Sequence, residues 1–379
     1  MPPGGRPTRC YTAPPLAVPA PFPMNETKQV VLSGIRPTGR LHLGNYFGAL
    51  KNWAELQDRY HCHYFLADWH ALTTDYADTS GVAAQSLDVA ADMIAGGLDP
   101  ERSVIFVQSM VPEHAELYLY LSMLTPLGWL ERVPTYKDQI RNLENKDLST
   151  FGFLGYPVLQ TADILMYRAH FVPVGEDQVA HLEISREICR RFNGFYGPVF
   201  PEPQPLLTPT PKVPGLDGRK MSKSYGNAIN LTDTPDDILK KCMQMFTDPQ
   251  RLRKSIPGRP DVCNLFRFHE LMSPPELRDR VDHECRGAVI GCVEDKRLLA
   301  EVMVDYLAPF RKRREELLRD PHTLRDILIA GSKKARERAG ETLELARAAM
   351  KLDYRDWGSR VAALAGTAIV PGIDPNGGV

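Results

Sequence analysis

The chain has 379 residues, 43% of them hydrophobic and 25% charged, which is enough for two domains of ordinary size. No run approaches the roughly 18 consecutive apolar residues of a membrane span, so a soluble, cytoplasmic protein with no membrane partner is expected. The net charge is −1, yet residues 240–360 hold 26 Lys and Arg against 20 Asp and Glu. A basic C-terminal part suits a phosphate-backbone partner, although mixed-charge helix surfaces would give the same count.

Residues 1–25 are rich in proline and poor in acid, and predict a disordered extension. The apolar run Gln29 to Ile35 reads as a buried strand that enters a Gly/Pro loop over 34–40. A helical pattern follows from about Asn45 to Arg59, then a strand at His63 to Leu66 and an Ala-rich helix from Ser80 to Gly97. Ser103 to Gln108 is a third strand, with helices expected from Glu113 and around Arg132 to Leu143. Phe171 to Val174 is a fourth strand, leading into a helix that ends near Asn193. Alternation of this kind predicts an α/β fold, a doubly wound parallel sheet of Rossmann-like type, with ligands outside the carboxyl ends of its strands.

Residues 197–218 are dense in Pro and Gly and are expected to be loop. Beyond Asn230 only helical patterns appear. The expected division is a catalytic domain over 26–230 and a helical domain over 231–355, whose last helices are free to pack back on the sheet. A flexible tail over 356–379 completes it.

Two segments carry the chemistry. His42-Leu43-Gly44-Asn45 lies between the first strand and the first helix, where unpaired backbone N–H groups and the positive helix end suit a triphosphate. His42 and Asn45 can donate to phosphate oxygens, and Gly44 lets a flat base approach the backbone. Far downstream, Lys220-Met221-Ser222-Lys223-Ser224 offers two lysines and two hydroxyls on a Gly/Pro-rich loop. Such a loop can neutralise charge developing on a leaving pyrophosphate. Neither a P-loop nor a GxGxxG fingerprint competes.

With these two segments in this order, the chain resembles the class I aminoacyl-tRNA synthetases, and within them the bacterial tryptophanyl enzymes. Ser33-Gly34-Ile35-Arg36-Pro37-Thr38-Gly39, Asp68-Trp69-His70-Ala71, Ala162-Asp163-Ile164-Leu165 and Val172-Pro173-Val174-Gly175-Glu176-Asp177-Gln178 match further blocks of that family. The resemblance implies a helical anticodon-binding domain, a homodimer, Mg·ATP, L-tryptophan and tRNA(Trp). It places Asp163 on the indole N–H, with Leu32, Gly34, His70, Gln160, Val172, Val174 and Gln178 around tryptophan. Ile35, Arg36, Thr38, Gly44, Gly175, Asp177, Gln178, Met221, Ser222 and Ser224 would contact ATP. His42, Asn45, Lys220 and Lys223 would carry catalysis.

Two departures stand out. Gln160 occupies a position where many bacterial tryptophan enzymes have Met, and Tyr156-x-x-x-Gln160-x-x-Asp163 is similar to the recognition pattern of the tyrosyl enzymes. Tyrosine specificity, or a duplicated synthetase with a regulatory role, is therefore the alternative. Cys263, Cys285 and Cys292 resemble the ligands of a [4Fe–4S] cluster found in some family members, but Asp295 stands where the fourth cysteine would be. A carboxylate is a poor ligand for a soft cluster, so helix packing is the expected role of this set and the cluster is the alternative. In the helical part, Arg251, Arg253 and Lys254 form a cationic loop. Arg311-Lys312-Arg313-Arg314 reads as a solvated cationic helix face.

Overall fold

A computed structural model describes residues 28–133, 149–175, 179–207, 213–354 and 361. The expected N-terminal extension, most of the expected tail, most of the 132–143 helix, Asp177 and Gln178 lie outside the described residues.

Five parallel strands form one sheet in the order β3-β2-β1-β4-β5. They are β1 (Val30–Ile35), β2 (His61–Leu66), β3 (Ser103–Val107), β4 (Phe171–Val174) and β5 (Gln204–Leu207). β1 is central and the winding reverses beside it, so the switch point between β1 and β4 opens a crevice at the carboxyl ends. The side chains alternate with period two. Val31, Tyr64 and Ile105 enter one apolar core, while Val30, Leu32, Phe65 and Phe106 enter the other.

β5 corrects the expectation of loop throughout 197–218. Gln204-Pro205-Leu206-Leu207 pairs with β4 in register Phe171↔Gln204 to Val174↔Leu207. It is an edge strand, where a proline lacking its N–H is tolerated.

The first helix, α1, runs from Leu43 to Leu56 through a π-type turn at Tyr46–Leu50. It is followed by α2 (Asp68–Asp75), α3 (Val82–Ala95), α4 (Glu113–Leu124), α5 (Tyr156–Met166) and α6 (Val179–Tyr196). The main helices after residue 230 are α7 (Pro235–Gln244), α8 (Asn264–Met272), α9 (Pro275–Arg286), α10 (Cys292–Arg319) and α11 (Pro321–Ala349).

Of these later helices, α11 returns to the sheet and α10 to α3. A Cβ added to Gly331 of α11 would sit 1.9 Å from the Ile105 carbonyl oxygen of β3, so only glycine permits this approach. The neighbouring Ser332 Oγ accepts the Val107 N–H at 3.3 Å, which covers an otherwise open sheet edge. On α10, Arg314 donates to Asp92 at 2.6 Å and to Asp88 at 2.8 Å, both on α3. Arg314 therefore ties α10 to α3 and is not part of a solvated cationic face. Arg311 likewise turns inward, donating to the Val304 carbonyl at 2.7 Å.

Candidate active site

The two phosphate segments predicted from sequence meet in space. Leu43 N–H bonds to the Ile229 carbonyl at 2.9 Å, and Leu231 N–H to the Leu41 carbonyl at 2.9 Å. These bonds stitch the start of α1 to the chain just after the lysine loop. Lys223 Nζ then reaches across to the carbonyls of Thr38 and Gly39, at 2.9 and 3.0 Å.

His42 and Asn45 form a reciprocal cap. His42 Nδ1 accepts the Asn45 N–H at 3.3 Å, and Asn45 Oδ1 accepts the His42 N–H at 3.1 Å. Burial, helped by the nearby Lys223 charge, lowers the His42 imidazole to about 4. A neutral ring accepting at Nδ1 must carry its proton on Nε2. Each side chain thus keeps a donor to offer, Nε2–H of His42 and the NH2 of Asn45, which is what an anion requires. Gly44 is needed here because an added Cβ would lie 2.9 Å from the His42 ring, and 3.6 Å from Met221 Cβ.

The lysine loop is held from below. Asn227, 4% exposed, accepts the Ser222 N–H at 2.9 Å and donates to Asp217 at 2.8 Å and the Lys220 carbonyl at 3.3 Å. Asn264 of α8 donates to the Gly215 carbonyl at 2.7 Å. Burial lowers the Lys223 ammonium, against a weaker opposing pull from Asp92. Met221 is buried, Lys220 is exposed, and the Ser224 side chain is outside the described set. Arg36 turns aside to Thr74 and to Asp75 at 3.7 Å.

The second half of the crevice is a buried carboxylate. Asp163 of α5, 2% exposed, accepts His114 Nδ1 at 2.6 Å on one oxygen and His70 Nε2 at 2.9 Å on the other. Gln108 Nε2 bridges both oxygens at 2.8 and 3.0 Å. Burial pushes the carboxyl up, but the hydrogen bonds from His114 and His70 outweigh it and leave Asp163 below the usual carboxylate range. The Tyr167 hydroxyl lies 2.7 Å from His114 Nε2. Burial, with Asp163 adding to it, raises Tyr167 well above its ordinary value. Tyr167 is therefore a donor to His114, which in turn donates to Asp163.

Around this network, Leu32 and Val172 are buried, Val174 ends β4 and Gly175 follows it. The Phe65 ring leaves no room for a Cβ on Gly34, at 2.6 Å. Gln160, one turn before Asp163, is half-buried and without a hydrogen-bond partner among the described residues. Sequence reasoning named Asp163 and His70 but missed Gln108, His114, Tyr167 and Asn227. Gln108 alone carried a signal, since it directly follows β3 at the carboxyl edge where ligands bind.

The model of the family "tRNA synthetases class I (W and Y)" matches residues 24–308. A tryptophan–tRNA ligase of Thermotoga maritima is 52% identical over 86% of this chain and 99% of its own length. One of Aquifex aeolicus is 44% identical over 85% and 99% respectively. Among solved structures, the tryptophanyl-tRNA synthetase of Campylobacter jejuni complexed with ADP and tryptophan superposes with a TM-score of 0.78. It is 34% identical and covers 85% of this chain and all of that one. A tyrosyl-tRNA synthetase of Archaeoglobus fulgidus shares the fold, with a TM-score of 0.59 at 20% identity.

Proposed function

The chain belongs to the class I tRNA synthetases for tryptophan and tyrosine and ligates tryptophan to tRNA, and on that premise we propose how its residues divide the work. The Nε2–H of His42, the amide of Asn45, and Lys220 and Lys223 bind the triphosphate of Mg·ATP. Ile35, Thr38, Gly44, Met221, Ser222, Ser224 and Gly175, with Asp177 and Gln178, complete the nucleotide site. Arg36, turned toward α2 in the free chain, joins it only after leaving Thr74. The tryptophan carboxylate attacks the α-phosphorus, pyrophosphate leaves, and the adenylate is then opened by a ribose hydroxyl of the tRNA 3′ end with release of AMP. Lys223 exchanges its carbonyl partners for phosphate oxygens as charge builds, so its contribution is greatest in the transition state.

Asp163 accepts the indole N–H, within a pocket lined by Leu32, Gly34, His70, Gln160, Val172 and Val174. One protein donor must give way, because both carboxylate oxygens are already engaged. His70 is that donor, since its side chain is 13% exposed while that of His114 is fully buried. The single observation that carries this reading is the Lys223 bridge to Thr38 and Gly39, which ties the lysine loop to the loop that leads into the His42–Asn45 segment.

The cysteine set does not suit an iron–sulfur cluster. Arg251 Nη1 donates to Cys285 Sγ at 3.3 Å and lies 4.0 Å from Cys292 Sγ. Asp295 Oδ1 is engaged by His269 at 3.1 Å. Burial pushes the Cys285 thiol up to about 11 despite Arg251. Cys285 and Cys292 thus pack around the Arg251 guanidinium.

Residues 26–230 carry catalysis and 231–355 meet the tRNA. Exposed Met123, Leu127 and Phe151, at 76, 61 and 68%, form apolar surface that a second copy would cover, in support of a homodimer. No helix among the described residues is long and apolar enough to cross a membrane, and a cytoplasmic location fits the reaction.

The test is ATP–pyrophosphate exchange with tryptophan, with tyrosine and with neither. Exchange with tryptophan alone is expected. Exchange with tyrosine would move specificity to the Gln160–Asp163 pattern, and none with either would overturn the reading.

A further inference from the structure

Asp68 stands two residues beyond the end of β2 and opens α2, and Ser109 stands two residues beyond the end of β3. Where the ladder between the two strands stops, at Leu66↔Val107, the Asp68 carboxylate takes over. Its Oδ1 accepts the Ser109 N–H at 3.0 Å and its Oδ2 the Ser109 hydroxyl at 2.5 Å. We propose that this clamp determines specificity in the amino-acid site. Asp68 and Ser109 are positioning residues that hold His70 and Gln108 at one spacing on Asp163, and so make the site intolerant of a ring without an N–H. The proposal rests on the reading of Asp163 as acceptor of the indole N–H, and adds to it the groups that keep the other donors in place.

The clamp acts through its neighbours in sequence. Gln108 directly precedes Ser109, and His70 follows Asp68 by two residues in the first turn of α2. Gln108 is fully buried and its amide is used at both ends. Oε1 accepts the His70 N–H at 3.4 Å, and Nε2 donates to both Asp163 oxygens at 2.8 and 3.0 Å. The His70 ring reaches the same carboxylate at 2.9 Å. Of the three side chains that donate to Asp163, two therefore come from the segments that Asp68 joins, and His114 is the third.

A helix cap alone does not require this arrangement. Asp68 Oδ1 also accepts the Trp69 N–H at 3.0 Å, which satisfies one open donor in the first turn of α2. Yet the remaining bonds of the carboxylate run to Ser109, 41 residues away, and no cation pairs with Asp68 among the described residues. A half-buried carboxylate thus spends its acceptors on the turn that carries Gln108, through bonds strengthened by its charge.

The consequence concerns compensation. A ring entering the pocket displaces His70 from Asp163, and an indole N–H takes its place. A ring without that N–H leaves the buried carboxylate short of a donor, and the penalty stands only while Gln108 and His70 cannot shift to relieve it. The clamp denies them that shift. Once it is cut, α2 and the turn after β3 are free to part, and a side-chain donor or a water reaches Asp163. The site then loses discrimination while the nucleotide half of the crevice is untouched.

The test is tryptophan-dependent ATP–pyrophosphate exchange, with the benzothiophene analogue of tryptophan (sulfur in place of the indole N–H) as competitor. The readout is the ratio of the analogue's Ki to the KM for tryptophan. Asp68→Ala is expected to lower this ratio about tenfold or more, with KM for ATP within about twofold of the parent. Asp68→Asn, which can still accept the Ser109 N–H, is expected to restore most of the ratio. Ser109→Ala removes the hydroxyl bond alone and is expected to lower the ratio about fivefold; it decides the question if Asp68→Ala does not fold. Ratios within about twofold of the parent in the alanine variants that fold, whatever their thermal midpoints, would overturn the clamp and leave Asp68 a helix cap. Asp163→Asn is measured alongside, and an unchanged ratio there would instead overturn the indole reading on which the clamp rests.

Discussion

His114 and Asp163 are joined by a 2.6 Å hydrogen bond in which the histidine, itself held by Tyr167 at 2.7 Å, is obliged to donate. The bond does two things for the indole site proposed above. It keeps Asp163 ionised in a fully buried position, and it leaves the carboxylate able only to accept. A substrate ring that offers an N–H is rewarded, whereas one without a donor leaves a buried charge short of a partner.

His114→Phe tests this directly. Removing the donor and leaving the Tyr167 hydroxyl without its acceptor should cost about 1–3 kcal/mol. That is expected as a rise in KM for tryptophan of roughly ten- to a hundredfold, with KM for ATP little changed. An unaltered tryptophan KM in pyrophosphate exchange would remove His114 from the specificity network.

Gln160 is the polar group in this pocket with no partner among the described residues. It is free to pair with a hydroxyl or amine on a substituted indole. Gln160→Met is expected to reduce kcat/KM for 5-hydroxytryptophan relative to tryptophan by about fivefold, the worth of one neutral hydrogen bond. Equal ratios in the two enzymes would show that Gln160 does not face the ring.

The lysine loop makes a kinetic prediction. Lys223 bonds Thr38 and Gly39 when no phosphate is present, so Lys223→Ala loses stabilisation of the transition state more than of the ground state. A fall of roughly 10²–10³ in kcat for exchange is expected, with tryptophan KM nearly constant. A fall of less than about threefold would mean that the bridge only latches the loop.

These residues also mark how far the sequence could be read. The pairing of His42 and Asn45 with Lys220 and Lys223 was legible because each segment is contiguous and of unusual composition. The Asp163 cradle was not, because Gln108, His114 and Asp163 come from three elements that only the sheet brings together. The family resemblance pointed to Asp163 as the carboxylate proposed to meet the indole, but not to its lone pairs being taken. β5 was hidden by Pro205, since composition marks a proline-rich stretch as loop and cannot see the neighbouring edge that accepts it. Arg314 looked solvated because its partners, Asp88 and Asp92, lie more than 200 residues away.

Two histidines set a pH window for stability. Burial, as the larger cause, lowers both His42 and His63 to about 4; Lys223 adds to it for His42, and Arg338 for His63, against an opposing backbone hydrogen bond at His61. Unfolded histidine titrates near 6.5. Between these values the unfolded chain takes up protons that the folded chain refuses, so stability is full above pH 6.5 and declines as pH falls toward 4. His63→Gln is expected to lower the slope of unfolding free energy against pH in this window by about one proton. An unchanged slope would mean that His63 is protonated in the fold.

The seat of α11 on β3 gives a prediction about stability without chemistry. At Gly331 the obstacle to a side chain is the Ile105 carbonyl oxygen, a backbone atom inside a hydrogen-bonded sheet, so neither a rotamer change nor a small shift relieves the clash. Gly331→Ala should therefore push the helix off the strand, part the Ser332–Val107 bond at 3.3 Å and reopen the sheet edge. A loss of roughly 1–3 kcal/mol or more is expected, read as a lower thermal midpoint. Ser332→Ala isolates the hydrogen bond and should cost less, because the helix keeps its seat. An unchanged midpoint in Gly331→Ala would mean that α11 does not rest on β3 in solution. Because Gly331 touches no group of the catalytic crevice, kcat/KM for exchange well below the melting range should stay near that of the parent. A large loss of exchange at that temperature would instead show that the seat of α11 positions the carboxyl end of β3, where Gln108 meets Asp163.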